Sequence, residues 1–398
     1  MKIAIIGGGA AGFFSALVAK EANPEAEVFL IERGAQLLTK VRISGGGRCN
    51  VTHSCFDPKE LTQHYPRGAK ELIGPFHRFQ PQDTISWFQE RGVRLKTEGD
   101  GRMFPVSDSS NTIINCFLEE AERLGIHIKT RTKLESIKKK STGFELTPLH
   151  GSPFTVDRLI LATGSGRGGW DFARALGHTT QSPVPSLFTF NVPSFPLKPL
   201  LGVSTRARLK LEGSRLMQEG PLLITHWGFS GPAALKLSAY GARYLAEKNY
   251  EVTLQIDWVP HLSEEQLFRE EQSSKQLGNF RIDPLPKKLW KALCTRAGLS
   301  TEAPFNSLGK GAISRLCETL KRDRYKVKGK TTNKEEFVTC GGITLSEVDF
   351  RRMESRCCPN LFFCGEILDI DGVTGGFNFQ NAWTTGWLAG RAASLVDE

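Results

Sequence analysis

The chain lacks the patterns of a metal scaffold, a membrane protein or a fibre. Its nine cysteines, at 49, 55, 116, 294, 317, 340, 357, 358 and 364, include no C-x-x-C pair and no zinc-ligand spacing. An odd set of thiols without a framework points to a reducing compartment, so a cytoplasmic location, no metal and no redox role for Cys357-Cys358 are expected. No uninterrupted apolar run reaches the roughly 18 residues that a membrane span needs. The apolar stretch 3–19 is broken by Gly7-Gly8-Gly9 and followed by a second apolar strand instead of a cleavage site, so it does not read as a secretory signal. Internal repeats and low-complexity tracts are absent as well. What remains is an ordinary globular composition, 39% hydrophobic and 24% charged over 398 residues, long enough for two domains or one domain with an insertion. Lys and Arg number 52 against 42 Asp and Glu, a net charge of +10 that favours polyanions such as nucleic acid or an acidic membrane surface.

The N-terminus reads as a βαβ unit: an apolar run Lys2 to Ile6, a glycine turn, helical spacing from Phe13, and a second strand over Val28 to Ile31. Within it Gly7-x-Gly9-x-x-Gly12 sits between strand and helix, and Glu32 follows the last glycine by 20 residues. Each position has a physical task. Gly7 permits the tight turn, Gly9 lets a pyrophosphate approach the N–H groups of Ala10 and Ala11 at the helix start, and Gly12 allows close helix–strand packing. Glu32 would accept hydrogen bonds from a ribose. Residues 1–185 are therefore expected to form the first part of a dinucleotide-binding domain. Proline-punctuated strands over 186–262 suggest an inserted, mostly β domain. A helical segment with a return runs over 263–336, with Leu289, Leu293, Ile313, Leu316 and Leu320 as core, and 337–398 completes the first domain.

The fingerprint alone does not separate NAD from FAD. The next segment, Lys40-Val41-Arg42-Ile43-Ser44-Gly45-Gly46-Gly47-Arg48-Cys49-Asn50, combines glycines, cations and small polar groups suited to wrapping a second anionic or polar moiety. This string resembles the signature of the BaiN/YhiN-like, or aminoacetone-oxidase-like, flavoproteins. Val156 to Gly164, ending Ala162-Thr163-Gly164, is similar to the matching strand of two-dinucleotide-fold flavoproteins. The segment Leu361 to Trp383 resembles the family's ribityl and isoalloxazine segment. The resemblance implies an α/β Rossmann-like FAD-binding domain with an inserted β-barrel-like domain and a small helical segment. It implies FAD contacts at Arg33, Lys40, Ser44, Gly45, Gly46, Arg48, Cys49, Asn50, Leu134, Thr163 and Gly164. At the C-terminal end it adds Gly365 and Glu366, the latter toward the ribityl chain, with Gly376, Asn378 and Gln380 near the ring. Family members reduce uridine in ribosomal RNA to dihydrouridine, reduce unsaturated bile-acid intermediates, or oxidise aminoacetone.

A second glycine pattern, Gly164-x-Gly166-x-x-Gly169, lacks the acid about 20 residues on, since none occurs between Asp171 and Glu212. NAD(P)H is accordingly expected as a transient donor, without a dedicated fold. Reduction of a C=C bond needs a proton donor beside the hydride, and two candidates stand out. Cys49 has Arg42 and Arg48 nearby in the chain, which would lower its pKa, or it is simply a small buried apolar residue. His226, in Thr225-His226-Trp227-Gly228, is placed where the inserted domain returns to the first, either holding or protonating substrate or packing at a hinge. Lys40, Arg42, Arg48 and His226 are candidates to stabilise an enolate. The tract Lys321 to Lys334, with seven cations, one acid and Tyr325, reads as an RNA-phosphate strip with Tyr325 stacking on a base, or as a solvated edge strand. The expectation is an NAD(P)H-driven FAD reductase acting on ribosomal RNA, with a small-molecule reductase or amine oxidase as the alternative.

Overall fold

The computed structural model describes residues 1–268, 274–280, 282–331 and 338–395. They fall into two units, one of residues 1–184 with 338–395 and one of 185–331. The expected boundary at 336/337 lies outside the described residues.

The first unit is built on a twisted sheet whose central strands are β1 (Lys2–Ile6), β2 (Glu27–Ile31) and β3 (Arg158–Leu161). Strand β1 pairs in parallel with both of the others, in the register Ile5↔Leu30 and Ile5↔Ile160. Full burial on both faces explains why these strands read as continuous Ile, Leu and Val rather than as alternation. Helix α1 (Ala10–Ala22) crosses between β1 and β2, and a broken helix α2 (Thr39–Gly47) follows β2. Strand β3 is followed by α3 (Arg167–Ala175) and pairs on its far side with a C-terminal strand, Leu361–Phe363. The sheet is the dinucleotide-binding architecture expected from the sequence.

In the second unit the strands are β4 (Thr189–Asn191), β5 (Ser204–Leu211), β6 (Met217–Ile224), β7 (Gly228–Ser230), β8 (Glu251–Asp257), β9 (Asp323–Lys328) and β10 (Lys330–Thr331). They hydrogen-bond antiparallel in the order β9-β8-β5-β6-β7-β4-β10. The two outermost strands are consecutive pieces of one chain segment joined at Gly329, with φ +86°, so the sheet closes on itself as a barrel. The helices Lys287–Arg296 and Lys310–Lys321 belong to this unit's core. Leu289, Leu293, Leu316 and Leu320 pack in one buried cluster with Leu209, Ile256 and Phe229 from the barrel. Periodicity finds these helices but not that they share the barrel's core.

After strand β11 (Leu361–Phe363) the chain ends in α4 (Phe377–Ala393), which lies along α1. The contact is close because α4 presents Gly386 and Gly390 one turn apart. A Cβ at Gly386 would stand 2.9 Å from the Ala11 carbonyl oxygen, and one at Gly390 2.5 Å from that of Ser15.

Candidate active site

The glycine turn behaves as its spacing requires. Gly7 has φ +117°, and a Cβ there would overlap the Ala162 carbonyl, while one at Gly12 would overlap the Gly7 carbonyl. These two glycines bring the β1–α1 turn onto the end of β3. Beside Gly9 there is open space, with no atom within 4 Å of a built Cβ. Gly9 is also the N-cap of α1 without a side-chain cap, and the first turn carries no acid. The leading N–H groups of α1 therefore have no intrahelical acceptor and face a region of positive helix-end potential. Glu32 is clamped next to them: its carboxylate accepts from Gly8 N at 2.8 Å and Gly34 N at 2.7 Å. Leu134 is buried two residues beyond Thr132, whose N–H bonds the Glu32 carbonyl, and Arg33 is exposed, within 3.9 Å of a Cβ built at Gly166.

The segment 40–50 forms a strained loop inside α2. Ser44 is extended, and Gly45, Gly46 and Gly47 have φ of +58°, +69° and +84°, a run only glycine adopts without penalty. Nothing lies within 4 Å of a Cβ at Gly46 or Gly47. The loop docks on the start of α4. With its amide oriented to satisfy both sides, Asn50 donates to the Thr52 carbonyl and accepts from Gly376 N at 2.9 Å. Lys40 pairs with Glu366, and Gly365, with φ +74°, is held by its N–H on Thr385 Oγ1 at 2.9 Å and faces Ala11. Thus the turn at Gly7–Gly12, Glu32, the 40–50 loop, Glu366 and the start of α4 all belong to one face of the first unit.

Among the described residues, Thr163 Oγ1 and both amide atoms of Asn381, a side chain with no exposed surface, are buried without a protein partner. Unpaired buried polar atoms cost free energy unless a ligand or water meets them. Together with the open space at Gly9 and Gly46, they fit an extended, polar dinucleotide. Thr163 was expected in this role. Asn381 was missed, because Gln380, Thr384 and Thr385 of the same helix are buried polar residues too, and only their partners in the fold set Asn381 apart.

Several expectations are corrected. Cys49 is not activated: it is completely buried, and desolvation pushes its thiol up to about 12 against a weak opposing hydrogen bond with Ser44. The flanking cations point elsewhere. Arg48 pairs with Glu98 at 2.7 Å and Asp108 at 3.5 Å and lies over the Phe104 ring, and Arg42 donates to Asn111 Oδ1 at 3.0 Å. The Gln380 amide is taken up by protein neighbours: its oxygen accepts from Thr52 Oγ1 at 2.6 Å and Thr84 Oγ1 at 3.0 Å, and its nitrogen donates to Thr384. Asn378 ties the loop before α4 by bonding both N–H and C=O of Gly372. His226 is not at the return of the chain but at the β6–β7 turn, exposed beside Trp227, which is 64% exposed. Tyr325 cannot stack on a base, because it is buried in the barrel and its hydroxyl donates to Asp323 at 2.5 Å. Thr332, Asn333 and Lys334 of the basic tract lie outside the described residues.

Comparison with known proteins came out consistently. The family model described as HI0933-like protein Rossmann domain matches residues 1–392. A 3-dehydro-bile acid delta(4,6)-reductase of Clostridium scindens is 30% identical over 99% of both chains. A ribosomal RNA dihydrouridine synthase of Escherichia coli is 31% identical over 97% of this chain and 96% of its own. In fold the chain resembles the crystal structure of 3-ketosteroid delta1-dehydrogenase from Sterolibacterium denitrificans, with TM-score 0.54, 11% identity and 98% and 99% of the two chains covered.

Proposed function

The chain belongs to the HI0933-like Rossmann family and is an FAD-dependent oxidoreductase, and from that premise we propose that it reduces a polarised C=C bond, with uridine in ribosomal RNA as the substrate and NAD(P)H as the donor. The observation that carries the cofactor half is a set of groups on one face of the first unit that a dinucleotide would complete: the uncapped start of α1, the glycine loop at 45–47, Thr163 and Asn381, with Glu32 beside them. The helix start and the loop backbone would hold phosphates, Glu32 a ribose, and Glu366 with Lys40 the polyol chain. FAD, when bound, supplies hydride. The protein's own part is to orient the acceptor, exclude water and place a donor at the carbonyl oxygen conjugated with the double bond, where enolate charge develops. Lys40 is the cation of the first unit set beside Glu366 for that task, and His226 is an exposed imidazole open to an incoming substrate.

For the substrate, the excess of ten basic residues supports RNA over a neutral small molecule. The bile-acid reductase relative, matched over 99% of its length, favours an unsaturated ketone as the second reading. Anaerobic incubation of the holoprotein with NADPH and undermodified ribosomal RNA, followed by digestion and mass spectrometry, decides between them. Enzyme-dependent dihydrouridine is the expected result. Oxidation of NADPH only when a small unsaturated ketone is added, with RNA unchanged, would overturn the RNA assignment and leave the reductase chemistry standing. Oxygen-dependent consumption of aminoacetone without any nicotinamide would replace both.

A further inference from the structure

Charge in this protein is segregated completely between the two units. Residues 185–331 hold 23 of the 52 Lys and Arg but only 13 of the 42 Asp and Glu, a surplus of ten cations, whereas the rest of the chain has 29 of each. The whole net charge of +10 therefore sits on the barrel unit and its helices.

Part of that surplus is arranged on the outer face of the barrel. Side chains alternate in and out along a strand, so Arg206, Arg208 and Lys210 of β5 face outward, as do Arg324, Lys326 and Lys328 of β9. Strand β8 lies between them and contributes uncharged Thr253 and Gln255 opposite Lys326 and Arg324. Gln255 also pairs with Lys210, so one cross-strand row reads Lys210, Gln255, Arg324. Next to this row is a groove of about 270 Å³ lined by Arg208, Lys210, Lys321 and Arg322 against a single acid, Asp257. Asp257 is already engaged by Lys321 at 2.8 Å. Acids elsewhere on the face fix individual cations: Glu219 is shared by Arg206 and Arg208, Glu318 by Arg322 and Arg324, Glu264 holds Arg322, Glu212 holds Arg324, and Glu251 at the start of β8 holds Lys328. Among the described residues, Lys210 and Lys326 form no ion pair. A concave, cation-lined face on which Lys210 and Lys326 are uncommitted is complementary to a phosphate backbone.

We propose that this outer face, across β5, β8 and β9 and centred on the groove at Arg208 and Lys210, is the docking surface for RNA phosphates. The proposal rests on the reading of the protein as an RNA-acting reductase. It differs from the strip 321–334 expected from sequence, because Asp323, Tyr325 and Val327 of that strip point into the barrel and the groove draws on β5, more than a hundred residues earlier.

The test is fluorescence anisotropy of the FAD-loaded full chain with a labelled single-stranded RNA over a range of KCl concentrations. Replacing Lys210→Ala with Lys326→Ala should weaken binding roughly tenfold near 0.1 M salt and lower the slope of log K against log salt by about 1.4, the loss of two contacts. The pair Lys210→Arg with Lys326→Arg should restore both values, which separates charge from misfolding. Lys133→Ala with Lys138→Ala, two exposed cations of the other unit, should leave them unchanged. Equal loss from both alanine pairs, or no effect of the first, overturns the docking surface even if dihydrouridine is formed. The expected pattern with no dihydrouridine formed would keep the docking surface and overturn the assigned reaction.

Discussion

At the scale of single residues, burial outweighs sequence neighbourhood. Cys49 follows Arg48 directly in the chain, yet its thiol is pushed up to about 12 because desolvation of the thiolate exceeds any attraction from Arg48, which is paired with Glu98 and Asp108, or from Arg42, which donates to Asn111. Cys364 is likewise buried and raised to about 12, whereas Cys357 is exposed. Iodoacetamide on the native protein should therefore label Cys357 and spare Cys49 and Cys364 until denaturant is added, as read by peptide mass mapping. Early labelling of Cys49 would restore it as a reactive group. Glu32 is the opposite case, a residue whose place is legible from a spacing of 20 and whose carboxylate is held by two N–H groups. Each charge-assisted hydrogen bond is worth about 1.5 to 3 kcal/mol. Glu32→Ala should accordingly weaken FAD binding by roughly tenfold or more, through lost ribose contacts and a loosened turn. Titration of apoprotein with FAD measures this, and an unchanged affinity would reduce Glu32 to a fastener of the turn.

At the scale of elements, polar ties set where the connecting segments sit. His178, just after α3, is buried and bonds Glu347 Oε2 at 3.1 Å and Ser355 Oγ at 2.7 Å, and Thr179 adds two bonds to Glu347. The tie fixes the end of α3 to the short strands Val348–Asp349 and Glu354–Ser355 at the edge of the sheet. Desolvation lowers the pKa of His178 below its ordinary 6.5, with Glu347 opposing. The folded state thus refuses a proton that the unfolded chain takes up near pH 6.5. Stability from this group is complete above that pH and is lost as pH falls below it. The melting temperature should drop between pH 7.5 and 5.5, and His178→Gln should flatten that drop. An equal slope in the variant would assign the acid sensitivity to other groups. None of this was legible beforehand, since the partners are 169 and 177 residues apart.

At the scale of the whole molecule, the chain leaves and re-enters the first unit on adjacent strands. Thr180–Ser186 and Val338–Ile343 form a two-stranded sheet, so both ends of the insertion start from one place. Replacing 187–337 by a short Gly/Ser linker should leave a soluble FAD-binding protein with no turnover and no salt-dependent RNA binding, because the surplus charge leaves with the excised residues. Flavin absorbance after gel filtration and RNA anisotropy check the two halves of that statement. An insoluble product would mean that the first unit needs the second for its stability.

The dinucleotide turn, its acid, the glycine loop and the buried character of the central strands are legible from local sequence alone. Each of these depends on local backbone freedom or short-range periodicity, which a single chain displays directly. The helices at 287–296 and 310–321 were also visible from their spacing, with Leu289, Leu293, Ile313, Leu316 and Leu320 all buried. Long-range packing sets which polar groups are consumed by neighbours. It engaged Gln380 with Thr52 and Thr84, buried Tyr325 against Asp323, and left Asn381 unpartnered. Closure of the barrel through Gly329 and the gathering of Lys210 beside Lys321 were likewise beyond reach. Most of these pairings join residues a hundred or more positions apart, and even the neighbours Tyr325 and Asp323 meet only because strand alternation buries both; the energies turn on desolvation and strand register, which composition and spacing do not encode.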